Sequence, residues 1–282
     1  MYIFILVVIV SSGLASITLR LLGRDEPRGE LPAFLFQFIS ALFFLPFVRE
    51  VPSLSSVWFF PFLASVFYGL GNIFMFKAFE KGEVSLLAPL GNLGPVLTLL
   101  FSVVLLGEGF SWAKVLGTLL VVFGLAFLKK GENFLRSLEA LIRDRNCRFY
   151  FLFLIFFNIA GVFDKKATPY FATTTYSFVQ FFLPSLMVLA YLIARGNFGN
   201  LVLFTKVRLP LAVLTSLVIS IRYASFYTAI TSAELSLVTP LFSLSTFVSL
   251  FLASWWLKEK VEQRWAAALF TVLGSALLLH KL

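Results

Sequence analysis

Residues 82–90, Gly-Glu-Val-Ser-Leu-Leu-Ala-Pro-Leu, return at residues 233–241 as Ala-Glu-Leu-Ser-Leu-Val-Thr-Pro-Leu. The two stretches lie 151 positions apart, and the same offset separates Glu108 from Glu259. Each of these acids precedes a predicted apolar helix, where a carboxylate favours the helix N-terminus. Because this spacing is just over half the chain length, it predicts a duplicated unit.

The composition indicates a protein of the lipid bilayer. Of the 282 residues, 60% are hydrophobic and 13% are charged, and the mean hydropathy is +0.95. An average soluble domain has roughly 25% charged residues. The charged residues separate apolar runs of roughly 17–24 residues, a length that crosses the hydrocarbon core. Ten such runs are predicted, at about 2–22, 31–48, 57–77, 84–106, 112–129, 148–165, 173–194, 208–230, 235–257 and 263–280.

These runs predict an all-α integral membrane protein with ten transmembrane helices in two five-helix repeats. The expected division is residues 1–130 for the first repeat, 131–147 for a basic linker and 148–282 for the second repeat. Because five is odd, the second repeat would enter the membrane in the opposite orientation, as in many transporters. The lipid bilayer is the expected partner, and the pattern leaves a monomer and a homodimer equally open.

The positive charge is a signal of topology. With ten spans, 17 Lys and Arg residues fall on the side of the linker and five on the side of the termini. The positive-inside rule then predicts a cytoplasmic linker and external termini. Two structures are open for the linker: a short helix that lies on an anionic leaflet, or a solvated tether between the halves. Glu139 and Arg143 have the i,i+4 spacing of a helical ion pair. Because the excess charge follows the loops, no nucleic-acid partner is expected.

The sequence contains few residues that could support an enzymatic reaction or bind a cofactor. The chain has one Cys (Cys147) and one His (His280), so no His/Cys metal site is expected. No phosphate-binding GxxxxGK[ST] motif occurs, so the chain is not expected to hydrolyse ATP, and no cofactor is predicted. An intramembrane enzyme needs clustered acids or metal ligands, whereas the three Asp residues lie far apart in sequence.

Helix-breaking residues occur at matching places in the two halves. Pro89 and Pro95 interrupt the fourth predicted span, and Pro240 interrupts the ninth. Proline removes a backbone donor, which the membrane tolerates where protein or trapped water satisfies the freed carbonyl. Interrupted helices in corresponding positions point to a transporter's central site. The alternative is that the kinks serve packing alone.

Arg222 is the only strong charge near the middle of a predicted span. It lies in the eighth span, about 200° around the helix from a stripe of small residues that recurs every four positions from Ala212 to Ser232. A charge at the bilayer centre costs roughly 2.5–3.5 kcal/mol on insertion scales and is tolerated where it faces a cavity or a partner. We interpret Arg222 as an anchor for a carboxylate or phosphate. The alternative is a structural arginine bonded to carbonyls at a kink.

Other polar residues within the predicted spans could line the same pocket. Each of them is individually more typical of a hydrogen bond between helices than of a ligand contact. The candidate substrate-binding residues beside Arg222 are Tyr68, Asn72, Tyr223, Tyr227, Gln37, Gln180, Asn92 and Asn158.

The chain resembles the drug/metabolite transporter superfamily in its EamA-type branch. The resemblance is carried by Leu105–Gly109 leading into Trp112–Gly124, by the similar Leu257–Lys260 leading into Trp265–Gly274, and by the proline-bearing fourth and ninth spans. It implies a gradient-driven carrier, commonly an exporter of amino acids, metabolites or toxic compounds, in the plasma membrane of a prokaryote. It leaves coupling to protons open. It also implies cytoplasmic termini, whereas the charge count predicts external termini.

The resemblance does not identify the cargo. Relatives often carry an Arg near the start of the second span, where this chain has Gln37. The sequence therefore predicts a secondary active transporter, an exporter of a small organic metabolite that is amino-acid-like or an organic anion or zwitterion, working by alternating access around a central cavity. The alternatives are a flippase for a phospholipid or polyprenyl phosphate and a non-transporting membrane subunit.

Overall fold

The computed structural model describes residues 2–53, 56–106, 112–125, 127–128, 134–232, 243–262 and 264–279. These residues form helices and connecting turns, and none of them lies in a β-strand. The helices are α1 (Tyr2–Gly23), α2 (Glu30–Phe44), α3 (Phe59–Phe79), α4 (Val84–Leu90), α5 (Leu93–Leu106), α6 (Trp112–Leu125), α7 (Phe134–Arg143), α8 (Arg145–Ala167), α9 (Thr173–Ala194), α10 (Phe198–Ser232), α11 (Ser245–Trp255) and α12 (Arg264–Leu279).

Six helical segments are long and apolar enough to cross a membrane. They are Leu6–Gly23, Glu30–Phe47, Ser56–Phe79, Arg145–Asp164, Thr173–Ala194 and Phe198–Ser225. A helix suits this environment because it satisfies its own backbone hydrogen bonds where no water is present. Shorter apolar helices cover Val115–Leu125, Ser245–Trp255 and Arg264–Leu277.

The fourth predicted span is divided into two helices. Helix α4 ends at Leu90, and the Gly91 amide closes it by donating to the carbonyls of Leu87 and Ala88 at 3.0 and 3.1 Å. Helix α5 begins at Leu93, which places Pro95 in its first turn, where a missing amide donor costs no helical hydrogen bond. Pro89 lies inside α4. Pro240 and the side chain of Tyr227 lie outside the described residues.

The helices pack mostly against partners from the other half of the chain. Helix α8 lies along α3 and α5, and α1 lies along α10 and α11. Helix α9 contacts α2 and α3, α10 contacts α2, and α6 pairs with α12. The α3–α8 pair is antiparallel, because Phe67 stacks on Phe163 while Phe74 stacks on Phe149. The C-terminal end of α3 therefore lies beside the linker, and we name this end of the bundle the linker end.

The small-residue stripe of α10 provides part of this close packing. Ala212, Ser216 and Ser220 are buried, whereas Ala224 is exposed. The Ser216 hydroxyl donates a 2.9 Å hydrogen bond to the Phe36 carbonyl of α2. Small side chains here let two helix backbones approach.

The linker is helical in the part that the structure describes. Helix α7 carries the Glu139–Arg143 pair, whose carboxylate and guanidinium atoms approach to 2.6 Å. Leu141 is buried, and α7 packs on α8. The contact with α8 means that α7 is held against the bundle on one face, and its interaction with a leaflet stays a prediction.

A polar cluster joins the two halves at the linker end. The Glu259 carboxylate accepts hydrogen bonds from the backbone amides of Val84 and Ser85 at 2.9 and 2.8 Å and from the Ser85 hydroxyl at 2.6 Å. Arg264 pairs with Glu83 and donates to the Ser85 hydroxyl. Glu259 therefore caps α4 of the other half, and we name these residues the Glu259 cluster. Glu108 lies outside the described residues.

Candidate functional site

Asp164 lies near the end of α8 within a cage of three hydrogen-bond donors. Its Oδ2 atom accepts bonds from the Tyr68 hydroxyl at 2.5 Å and from the Gln180 amide at 2.6 Å. Its Oδ1 atom accepts a 2.5 Å bond from the Tyr176 hydroxyl. Tyr176 and Gln180 are four residues apart on α9 and so share one helix face, while Tyr68 comes from the middle of α3. The carboxylate therefore ties together three helices, and we name these four residues the Asp164 cage.

A small cleft opens beside the Asp164 cage. Besides the cage residues, its walls are formed by Pro61, Ala64, Ser65, Val179 and Pro184. The volume available to water is about 10 Å³, which is space for roughly one molecule. The cleft is therefore too small for an organic substrate in the observed arrangement.

Arg222 lies beside an aromatic side chain of its own helix. Its guanidinium carbon is 4.9 Å from the centre of the neighbouring Tyr223 ring. Among the described residues, no carboxylate forms an ion pair with Arg222, and its described contact is the aromatic face of Tyr223.

Tyr223 connects the Arg222 group with the Asp164 cage. Its ring packs edge-on against Phe181 of α9, with 5.1 Å between the ring centres. Phe181 directly follows Gln180, which donates to Asp164 in the cage. The arginine side and the half-buried carboxylate are therefore connected through α9.

The other candidate residues lie in different surroundings. Asn92, at the break between α4 and α5, donates to the hydroxyls of Thr246 and Thr271 at 3.3 and 2.9 Å. The amides of Gln37 and Asn158 donate to carbonyls one turn earlier in their own helices. The carbonyl oxygen of Gln37 is buried without a described partner. Asn72 is buried in α3, one turn from Tyr68.

A second, wider cleft lies at the linker end, between the α1–α2 turn and α10. Its charged walls include Arg24, Asp25, Arg28 and Arg208, and the volume available to water is about 230 Å³. Arg28 donates to both Glu26 oxygens, and this hydrogen bonding raises the pKa of the arginine. The acids of this cleft offset part of its positive charge.

Asp164, Tyr176 and Tyr150 were not among the substrate-binding residues predicted from the sequence. Asp164 carried a usable signal, because it falls inside the predicted span 148–165 and an ionisable residue within a span is a candidate functional group. Its position next to the end of that span is also compatible with a loop residue, so the sequence does not single it out. Nothing in the sequence marked the two tyrosines, because their role comes only from the side chains that they meet. Among the described residues, no group of three or more His, Cys, Asp or Glu could hold a metal ion.

The long apolar helices define a multi-pass integral membrane protein. The family model of the EamA-like transporters matches residues 1–129 and 148–280. The chain belongs to the EamA-like transporter family and is a membrane transporter by that membership. Proteins of this family are generally not enzymes.

Two individual proteins resemble parts or all of the chain. An uncharacterised protein of Methanocaldococcus jannaschii, MJ1333.1, is 27% identical over 66 residues, which are 23% of this chain and 48% of that protein. The chain thus spans about half the length of this curated relative. A crystal structure of another protein aligns over 95% of this chain and 97% of its own, with a TM-score of 0.54 and 16% identity, which supports the fold alone.

Proposed function

We propose that the protein is a secondary active transporter that exports a small organic anion or zwitterion by alternating access. The observation that carries this proposal is Arg222, a cation within a membrane-spanning segment that pairs with no described carboxylate. An uncompensated charge in a span is costly, so its retention favours a ligand that supplies the opposite charge. A planar guanidinium binds a carboxylate or phosphate through two parallel hydrogen bonds.

The helix pairing supports inverted five-helix repeats of the kind found in many alternating-access carriers. In the order of the elements along each half, α3 corresponds to α10 and α8 corresponds to α1. The α3–α8 pair then has its counterpart in α10–α1, the α5–α8 pair in α11–α1, and the α3–α9 pair in α10–α2. Equivalent helices α2 and α9 contact each other, as do α6 and α12. Such exchange of partners is expected for ten spans related by a two-fold axis in the membrane plane.

The surroundings of Arg222 support a substrate with both a charged group and an apolar body. Tyr223 lies next to the guanidinium, and Phe181 packs on Tyr223. A carboxylate on Arg222 would therefore be flanked by aromatic faces. We include Tyr68 and Asn72 in the same substrate region, at the α3 wall.

Transport by purified protein in liposomes tests the proposal. The panel contains radiolabelled amino acids, organic acids, sugar phosphates and organic cations, with movement of a labelled phospholipid measured in parallel. Arg222→Gln should abolish anion or zwitterion transport, and Arg222→Lys should weaken it partially, because lysine keeps the charge but loses the planar donor pair. Arg195→Gln is the matched control, since Arg195 is an exposed arginine beyond the end of α9.

Two results would contradict this substrate class. The first is wild-type transport of cations alone, and the second is normal anion transport by folded Arg222→Gln protein. Movement of the labelled phospholipid alone would instead identify the flippase alternative, in which Arg222 binds a lipid phosphate.

A further inference from the structure

We infer that Asp164 is a proton-binding site whose protonation loosens the junction between α3 and α9. The inference rests on the proposed function, because it assigns the coupling ion and the coupling residue of that carrier. It is carried by the geometry of the Asp164 cage, where every donor points at one carboxylate.

The hydrogen bonds of the cage suit the deprotonated carboxylate. The Tyr68 and Tyr176 hydroxyls and the Gln180 amide all donate to Asp164, and both carboxylate oxygens accept. A proton added to either oxygen turns that oxygen into a donor facing another donor. At least one of the three bonds must then break or reverse. Because Tyr68 belongs to α3 and the other two donors belong to α9, protonation weakens a contact between helices from the two halves of the chain.

The size and composition of the cleft favour a proton over a larger ligand. Its free space admits roughly one water molecule, which suffices to deliver a proton and is too little for an organic substrate or a hydrated cation. The groups that face Asp164 are Tyr68 from α3, Tyr176 and Gln180 from α9, and Tyr223 from α10. Helix α5, which also packs on α8, has no titratable residue.

Lys166 lies two residues after Asp164 on α8. It is exposed, and its ammonium lies 5.8 Å from the centre of the Phe60 ring. Of the described side chains, none that is cationic forms an ion pair with Asp164. Among these side chains, the charge of the carboxylate is held by the hydrogen bonds of the cage.

The position of the cage gives protonation a route to the substrate region. Tyr223, beside Arg222, packs on Phe181, the residue that follows Gln180 on α9. A change in the Gln180–Asp164 bond therefore reaches the group next to the arginine through α9. Proton binding and anion binding are coupled if each changes the position of Tyr223.

Infrared difference spectroscopy of the protein in lipid nanodiscs, without substrate, tests the inference. Lowering the pH should produce protonated-carboxyl bands in the wild type, among them one band from Asp164 that Asp164→Asn removes. Asp25→Asn is the matched control, because Asp25 is an exposed acid at the linker end. Tyr176→Phe keeps the acid and removes one donor to the carboxylate, so it should move the midpoint of the band to higher pH.

Hydrogen exchange supplies a second readout that a merely structural acid would not produce. Backbone amides at the start of α9 should exchange about tenfold faster at low pH in the wild type, as expected for the loss of one hydrogen bond of ordinary strength. In Asp164→Asn this acceleration should be absent. The inference is overturned if the wild type gains no band, if Asp164→Asn keeps every band that the wild type gains, or if sodium at constant pH changes the spectrum as acid does. Because no substrate is used, these outcomes are independent of the Arg222 transport assay.

Discussion

Removal of the Glu259 carboxylate should open the linker end of the bundle. Glu259 accepts from two backbone amides at the start of α4 and from the Ser85 hydroxyl, at 2.6–2.9 Å. Loss of an N-cap costs about 0.5–2 kcal/mol, and a hydrogen bond to a charged group contributes about 1.5–3 kcal/mol. Because Glu259 is only half-buried, water replaces part of this loss, and we expect about 2 kcal/mol for Glu259→Ala.

That free energy corresponds to about a 30-fold shift between closed and open forms. A cysteine at Val84, which is fully buried beside the cap, reports the shift by its reaction rate with a water-soluble maleimide. The assay uses a Cys147→Ser background, so that Val84→Cys is the only thiol. Adding Glu259→Ala should raise the labelling rate about 30-fold.

The matched control is Glu262→Ala, an exposed acid in the same turn, which should leave the rate unchanged. Equal labelling of the Glu259→Ala and Glu262→Ala proteins would refute the reasoning. Labelling of the parent protein at the rate of an exposed cysteine would refute it as well.

Three further outcomes are expected. A reporter fused after Leu282 and one inserted near Ser137 should lie on opposite sides of the membrane, with the insert cytoplasmic. If the insert is external instead, the termini are cytoplasmic. If both reporters lie on the same side, the ten-span count is wrong. Pro89→Ala and Pro240→Ala should reduce transport in liposomes while leaving membrane insertion intact, and full activity of the double variant would leave the prolines a packing role only. Gly274→Val should destabilise the protein by about 1–3 kcal/mol, because a Cβ atom would lie 2.7 Å from the Gly117 carbonyl oxygen and the Val121 amide nitrogen. An unchanged melting temperature of the variant would contradict this.

Local features of the chain were predictable where a single helix decides them. The Glu139–Arg143 pair forms because residues four apart meet on any helix. The division of the fourth predicted span falls at Gly91 and Asn92, between the two prolines that marked it. Both depend on neighbours in sequence, so pattern reasoning reaches them.

The partners of the polar side chains were not predictable in this way. Asn92 was a candidate ligand residue, and in the structure it bonds to Thr246 and Thr271, more than 150 positions away. Glu259 was assigned to the entrance of the helix that follows it, and it caps α4 of the other half. Hydropathy and spacing carry no information on which helices touch, so such contacts follow only from the packed bundle.

The sequence by itself determined that the chain lies in a membrane and where its long apolar helices run, and it predicts that the two halves repeat. The first two properties are set by composition along the chain, because a bilayer requires about 20 apolar residues per span whatever the neighbouring helix. The tertiary structure alone decided that Asp164 meets Tyr68 and Gln180 and that Tyr223, beside Arg222, packs on Phe181 of the same helix as Gln180. Buried polar groups must find donors or acceptors in a lipid environment, and the crossing of helices distant in sequence determines which ones they reach.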